Sequence, residues 1–99
     1  MTEHDAVELI AASLSKLMNE DMISRDTIIS RDLILLGPGS PLDSIGFVTF
    51  VTDLEERVST NANKDIYLVL SEINGFDINQ SHLLVADLAR YLIKLSEEK

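Results

Sequence analysis

The sequence predicts an all-α domain: a bundle of four helices with a long loop between helices 1 and 2 and a short helix 3. Three observations predict it. Apolar residues make up 45% of the 99 residues and aromatic ones only 5%, so the core is built from Leu, Ile and Val, a composition that suits packed helices. Those apolar residues recur at i, i+3, i+4 spacing within separate segments, the mark of one buried helix face. There is no cysteine, which excludes a disulfide framework or a thiolate metal site as the source of stability. A chain of this length fits a single domain, residues 1–99, with one small core.

Helix 1 is expected over residues 3 to 19. Ala6, Leu9, Ile10, Leu14, Leu17 and Met18 form its stripe, Thr2 is the N-cap candidate, and Glu3 and Asp5 suit the positive end of the helix dipole. From Glu20 to Leu42 the pattern decays. Leu33-Ile34-Leu35-Leu36 runs into Gly37-Pro38-Gly39-Ser40-Pro41, where no regular element can form. A connection this long in a small domain is often functional. Its Ile and Leu residues are expected to be pinned to the core, with a short helical turn around Asp32 to Leu36.

Helix 2 is expected from Asp43, its N-cap, with Phe47, Phe50, Val51, Leu54 and Val58 facing the core and Asp53, Glu55 and Glu56 pointing elsewhere. Gly46 in its first turn costs about 1 kcal/mol relative to alanine, and lets something approach the backbone closely or is neutral. Ser59 to Lys64 reads as a polar loop. Ile66, Val69, Leu70 and Ile73 suggest short helix 3, ended by Asn74-Gly75, with Phe76 and Ile78 folding back onto the core. Helix 4 is expected from Ser81, with Leu84, Val85, Leu88, Tyr91, Leu92 and Leu95 as its stripe. No internal repeat or low-complexity segment is visible.

Charge narrows the function classes. Eight Lys and Arg against 17 Asp and Glu give a formal net charge of −9. Nucleic-acid binding is not expected, because it needs clustered cations to neutralise phosphates. The same charge attracts partners with basic patches and speeds their encounter. The segment Met1-Thr2-Glu3-His4-Asp5 lacks the features of a signal peptide, and no apolar run reaches the roughly 20 residues that span a bilayer. A cytoplasmic protein without membrane insertion is expected.

The chemistry-bearing segment is Leu42-Asp43-Ser44-Ile45, between a Gly/Pro/Ser loop and an amphipathic helix. It places a serine in the first turn of a helix. There the backbone N–H groups and the dipole both favour a covalently attached phosphate. Taken alone, Asp43-Ser44 reads first as a capping dipeptide.

The wider pattern is more specific. Leu36-Gly37, then Leu42-Asp43-Ser44-Ile45, then Val48, Val51 and Leu54-Glu55-Glu56 resemble the phosphopantetheine attachment region of acyl carrier proteins. Val85-Ala86-Asp87-Leu88-Ala89-Arg90-Tyr91-Leu92 resembles the last helix of that family. The resemblance covers nearly the whole chain in the expected order. It implies the four-helix fold of that family and a 4′-phosphopantetheine arm on Ser44, attached by a phosphopantetheinyl transferase from coenzyme A. The arm's thiol would carry acyl groups as thioesters for fatty acid, specialised lipid or polyketide-type biosynthesis. It further implies partner recognition by Asp43, Ile45, Val48, Asp53, Glu55 and Glu56, facing acyl-transferring and acyl-modifying enzymes with basic docking patches. An acyl cleft would be lined by Phe50, Val51, Leu54 and Leu88. The protein itself would be a monomer and no enzyme.

Two positions depart from the family pattern. Gly46 and Thr49 stand where carriers of general fatty acid synthesis have acidic residues, and the stretch from Asp65 to Asn74 with Gly75-Phe76 is longer than in those carriers, so the chain is more similar to specialised carriers beside dedicated biosynthetic enzymes. Two alternatives stay open: a carrier of aminoacyl or peptidyl groups, and an unmodified helical interaction module. Other chemistries lack their residues. His4 and His82 lie in no metal-ligand spacing, and Asp53, Glu55 and Glu56 read as a solvated helix face. No nucleotide-phosphate signature is present, and the segment from Asn61 to Asp65 does not match a calcium loop.

Overall fold

The computed structural model describes residues 1–37, 39–68 and 83–97. Among these the protein is mostly helical. Its elements are α1 (Glu3–Asn19), β1 (Ile34–Leu36), α2 (Ser44–Ala62), β2 (Leu83–Leu84) and α3 (Val85–Glu97).

Helix α1 forms where its periodicity predicts. Thr2 caps it in a reciprocal box: the Asp5 amide donates to Thr2 Oγ1 at 3.1 Å, and the Thr2 amide donates to Asp5 Oδ2 at 3.1 Å. Ala6, Ile10, Leu14 and Leu17 are buried along one face. This helix is the hub, packing against both α2 and α3, which make far less contact with each other. Phe50, Leu54 and Val58 of α2 and Val85, Leu88, Ala89 and Leu92 of α3 complete the core around it.

The connection from α1 to α2 is pinned as expected: Ile23 and Leu35 are buried, and Ile29, Leu33, Leu36 and Leu42 pack against the core. Ile28 is the exception and stands exposed. The helical turn expected around Asp32 to Leu36 does not form. Ile34–Leu36 is instead a strand, antiparallel to β2, with Ile34 opposite Leu84 and Leu36 opposite Leu83. The fold is therefore not purely α. An extended backbone lets Leu35 bury its side chain while flanking residues pair, a geometry that a run of Leu and Ile tolerates well.

Two helix boundaries also differ. The segment Ser59 to Lys64, expected as loop, continues α2 through Ala62 because its polar side chains are used: Ser59 Oγ donates to the Ile66 carbonyl and accepts from the Ile66 amide. Asn63 then ends the helix in the left-handed conformation at φ 54°. The last helix starts at Val85 rather than near Ser81, because Leu83 and Leu84 are extended in β2. Its first amides reach back to the long connection: Val85 N–H donates to the Leu33 carbonyl and Ala86 N–H to the Arg31 carbonyl, each at 3.0 Å. Of the expected short helix 3, Ile66 to Leu68 are not helical. Val69, Leu70, Ile73, Asn74-Gly75, Phe76, Ile78, Ser81 and His82 lie outside the described residues. Four helices are accordingly not seen; three are, among the described residues. No helix there is long and apolar enough to cross a membrane.

Candidate functional site

Ser44 is the first residue of α2, and the chain reaches it through a shaped turn. Gly37 and Gly39 both adopt positive φ, 110° and 92°, which glycine does without steric cost. The Ser40 amide closes the turn by donating to the Gly37 carbonyl at 3.1 Å. Gly39 lies so close to β1 that an added Cβ would stand 3.4 Å from Ile34 Cδ1. Ser40 Oγ then donates to the Leu35 carbonyl at 2.7 Å and accepts from the Leu42 amide at 3.1 Å.

Asp43 is the N-cap. Its backbone is extended, and its Oδ1 accepts the Gly46 amide at 2.6 Å. The close approach that Gly46 permits is that of this carboxylate: a Cβ on Gly46 would meet Asp43 Oδ1 at 3.0 Å. Because Asp43 does the capping, Ser44 does not have to. Its side chain is exposed and makes no hydrogen bond among the described residues. The first turn of α2 also leaves backbone N–H groups without intrahelical acceptors. An exposed hydroxyl at the positive end of a 19-residue helix is a favourable place for a phosphodiester.

Ser44 is preceded by the exposed carboxylate of Asp43 and followed on α2 by two exposed apolar side chains. Ile45 is 73% exposed and Val48 64% exposed, one turn apart on the same helix face. Thr49 and Thr52 turn their hydroxyls back to the carbonyls of Ile45 and Val48, each at 2.9 Å. No charged side chain occurs from Ser44 to Thr52.

The three acidic residues named for partner recognition on the later turns have different surroundings. Asp53 does not point to solvent, as expected of it, but toward α1: its side chain is 12% exposed. Its Oδ2 accepts from Ser13 Oγ at 2.8 Å and from Arg57 Nε at 2.6 Å, and its Oδ1 faces Lys16 Nζ at 3.3 Å. Burial raises its pKa, but the hydrogen bonds from Arg57, Ser13 and Lys16 together outweigh that and hold the carboxyl below the ordinary 3.8. Asp53 thus fastens α1 to α2. Glu55 Oε2 accepts the Leu68 amide at 2.8 Å, and Glu56 is exposed. Lys16, Asp53, Glu56 and Arg57 line an open groove between the two helices, with Leu9, Thr60 and Asn61.

Of the residues named for an acyl cleft, Phe50, Leu54 and Leu88 belong to the buried core and Val51 is half-buried. Phe50 packs at a tilt against Phe47, ring centroids 6.4 Å apart. His4 is exposed and pairs with Glu8 one turn on, Nε2 to Oε1 3.1 Å. No group of three or more metal-ligating side chains occurs among the described residues.

Sequence reasoning missed Ser40 and the partners of Asp53. Arg57, four residues after Asp53, was a visible pairing signal. Ser13, between Ile10 and Leu14 on an otherwise apolar face, was a second, since a buried hydroxyl needs a partner. Ser40 gave no signal beyond its place in a turn-forming segment.

No family model matches the chain, and no curated protein or solved structure matches it.

Proposed function

We propose that the chain is an acyl carrier protein, holding acyl intermediates as thioesters on a 4′-phosphopantetheine arm attached to Ser44. The observation that carries this reading is the uncommitted, exposed hydroxyl of Ser44 at the head of α2, with the cap supplied by Asp43. A serine serving only as a cap would stand at the Asp43 position and spend its oxygen on a backbone amide. The family resemblance of Leu42-Asp43-Ser44-Ile45 and of Val85 to Leu92 adds to it, and the reading includes a four-helix bundle of which α1, α2 and α3 are members.

The residues present fit the group. Ser44 Oγ would hold the arm through a phosphodiester, its new O–P bond replacing the bond from that phosphorus to the departing 3′,5′-adenosine bisphosphate of coenzyme A. The transferase removes the hydroxyl proton and supplies magnesium. The α2 N-terminus stabilises the resulting phosphodiester anion through its backbone N–H groups and dipole. The attached arm supplies the thiol that this cysteine-free chain lacks. Ile45 and Val48 offer the apolar contact area beside the arm, and Glu56 offers charge to a basic patch about 18 Å further along the helix, at 1.5 Å per residue.

A second reading rests on the same exposed pair. Ile45 and Val48 would suit an unmodified interaction module equally well. Intact mass after incubation with coenzyme A, magnesium and a broad-specificity phosphopantetheinyl transferase separates the two. One phosphopantetheinyl group is gained on the native chain and none on Ser44→Ala. Absence of any gain on the native chain would leave the interaction module.

A further inference from the structure

The head of a helix is its least constrained part, because the first residues lack intrahelical acceptors and fray. Ser44 sits there, after a connection containing two positive-φ glycines, and a modifying enzyme must nevertheless find its hydroxyl in one orientation. Two devices restrict it. Downstream, Asp43 grips the Gly46 amide. Upstream, Ser40 is the only residue of the Gly37–Leu42 approach whose side chain bonds elsewhere in the chain among the described residues, and it does so twice.

Its hydroxyl joins Leu35 of β1 to Leu42, two residues before Ser44. Leu35 is fully buried and lies between the two β1 residues that pair with β2. β2 leads directly into α3. The Ser40 hydroxyl therefore ties the approach to Ser44 to the core strand rather than to the first turn of α2. Leu42 is half-buried against the core, so the tie also sets how the last three residues before Ser44 leave it.

We propose that Ser40 is a positioning residue for the modification of Ser44: its hydroxyl holds the Leu42-Asp43 step in the arrangement that presents Ser44 Oγ to the transferase. This rests on the carrier reading. Without the hydroxyl, the Leu35 carbonyl and the Leu42 amide both lose their partner, and the approach samples arrangements in which Ser44 is misdirected. The transferase must then select the competent one, which raises the apparent KM for the carrier and leaves kcat nearly unchanged.

The test uses the full chain, coenzyme A, magnesium and a broad-specificity phosphopantetheinyl transferase, with KM and kcat measured for the native chain, Ser40→Ala and Ser40→Thr. Melting followed by circular dichroism runs beside it. The expected result for Ser40→Ala is a KM raised about tenfold, the scale of one half-buried hydrogen-bonded group, at unchanged kcat and with the folded state retained. Ser40→Thr, which keeps the hydroxyl, is expected within about threefold of the native KM. Native kinetics in Ser40→Ala, a loss confined to kcat, an equal loss in Ser40→Thr, or an unfolded Ser40→Ala would each overturn the positioning role. A native chain that accepts no arm would instead defeat the carrier reading, and the inference with it, before any variant is compared.

Discussion

Asp53 shows how neighbours can turn a carboxylate on a helix face into a tie between two helices. Its three hydrogen-bond donors come from two helices, Ser13 and Lys16 on α1 and Arg57 on α2. Replacing it by Asn leaves two cations and a buried hydroxyl with a poorer acceptor. The expected cost is about 2 kcal/mol, the range for losing charge-assisted hydrogen bonds, measured by urea unfolding at pH 7. The pH dependence has a definite sign. Its folded pKa lies below the ordinary 3.8, so the stabilisation is fully present above that value and is lost as pH falls through the folded pKa. Asp5 acts in the same direction, its carboxyl lowered first by the Thr2 amide and then by the Thr2 hydroxyl. Native protein is therefore expected to lose stability below about pH 4, and the loss is expected to be smaller in Asp53→Asn.

Helix ends carry the next level of information. Asn63 ends α2 with φ 54° and ψ 41°, a conformation in which glycine is unstrained and other residues are not. Asn63→Gly is expected to change stability by less than about 0.5 kcal/mol, since Asn tolerates this region better than other side chains. Asn63→Val is expected to destabilise by about 1–2 kcal/mol, read by thermal melting. The elements that could be read from sequence were those whose cause is local. Helix α1 followed from its stripe and its Thr2 cap, and the start of α2 followed from Asp43. The strand pair could not be read this way. Leu33 to Leu36 has no alternation, and what makes it extended is a partner at Leu83–Leu84, far along the chain. The same holds within the site. That Ser44 heads α2 is legible because a cap is a property of one helix end, whereas the solvated-face reading of Asp53 fails because its ligands Ser13 and Lys16 belong to another helix.

Across the whole molecule, charge and contact act at different ranges. The net charge of −9 acts over a Debye length, about 8 Å at physiological salt, and draws in partners of opposite sign before any side chain touches. The surface that would then be touched combines the exposed Asp43 carboxylate with an uncharged stretch of α2 after Ser44, consisting of Ile45, Val48, Thr49 and Thr52. Raising salt from about 50 to about 300 mM is therefore expected to reduce kcat/KM for modification severalfold by slowing encounter. The reduction is expected to be of similar size in Val48→Ser, whose own loss is of contact and does not depend on salt. Stopped-flow or initial-rate measurements at the two salt levels check both statements.

The pairing of Ile34 with Leu84 closes a loop of about fifty residues, at an entropic cost of about 3–4 kcal/mol beyond a constant. Helices α1 and α2 satisfy their own backbones and can form early; a strand pair of so few residues cannot recover that cost until the core between α1 and α3 has already brought its halves together. The pair is therefore expected to assemble after the helices. The Ser40 tether hangs from β1, so on the proposed positioning role a chain with all its helices but without this closure would still lack a properly offered serine. On the carrier reading, an enzyme modifying Ser44 would discriminate finished molecules from nearly finished ones, and hydrogen exchange at the Leu42 amide, which the Ser40 hydroxyl holds, would report the same closure.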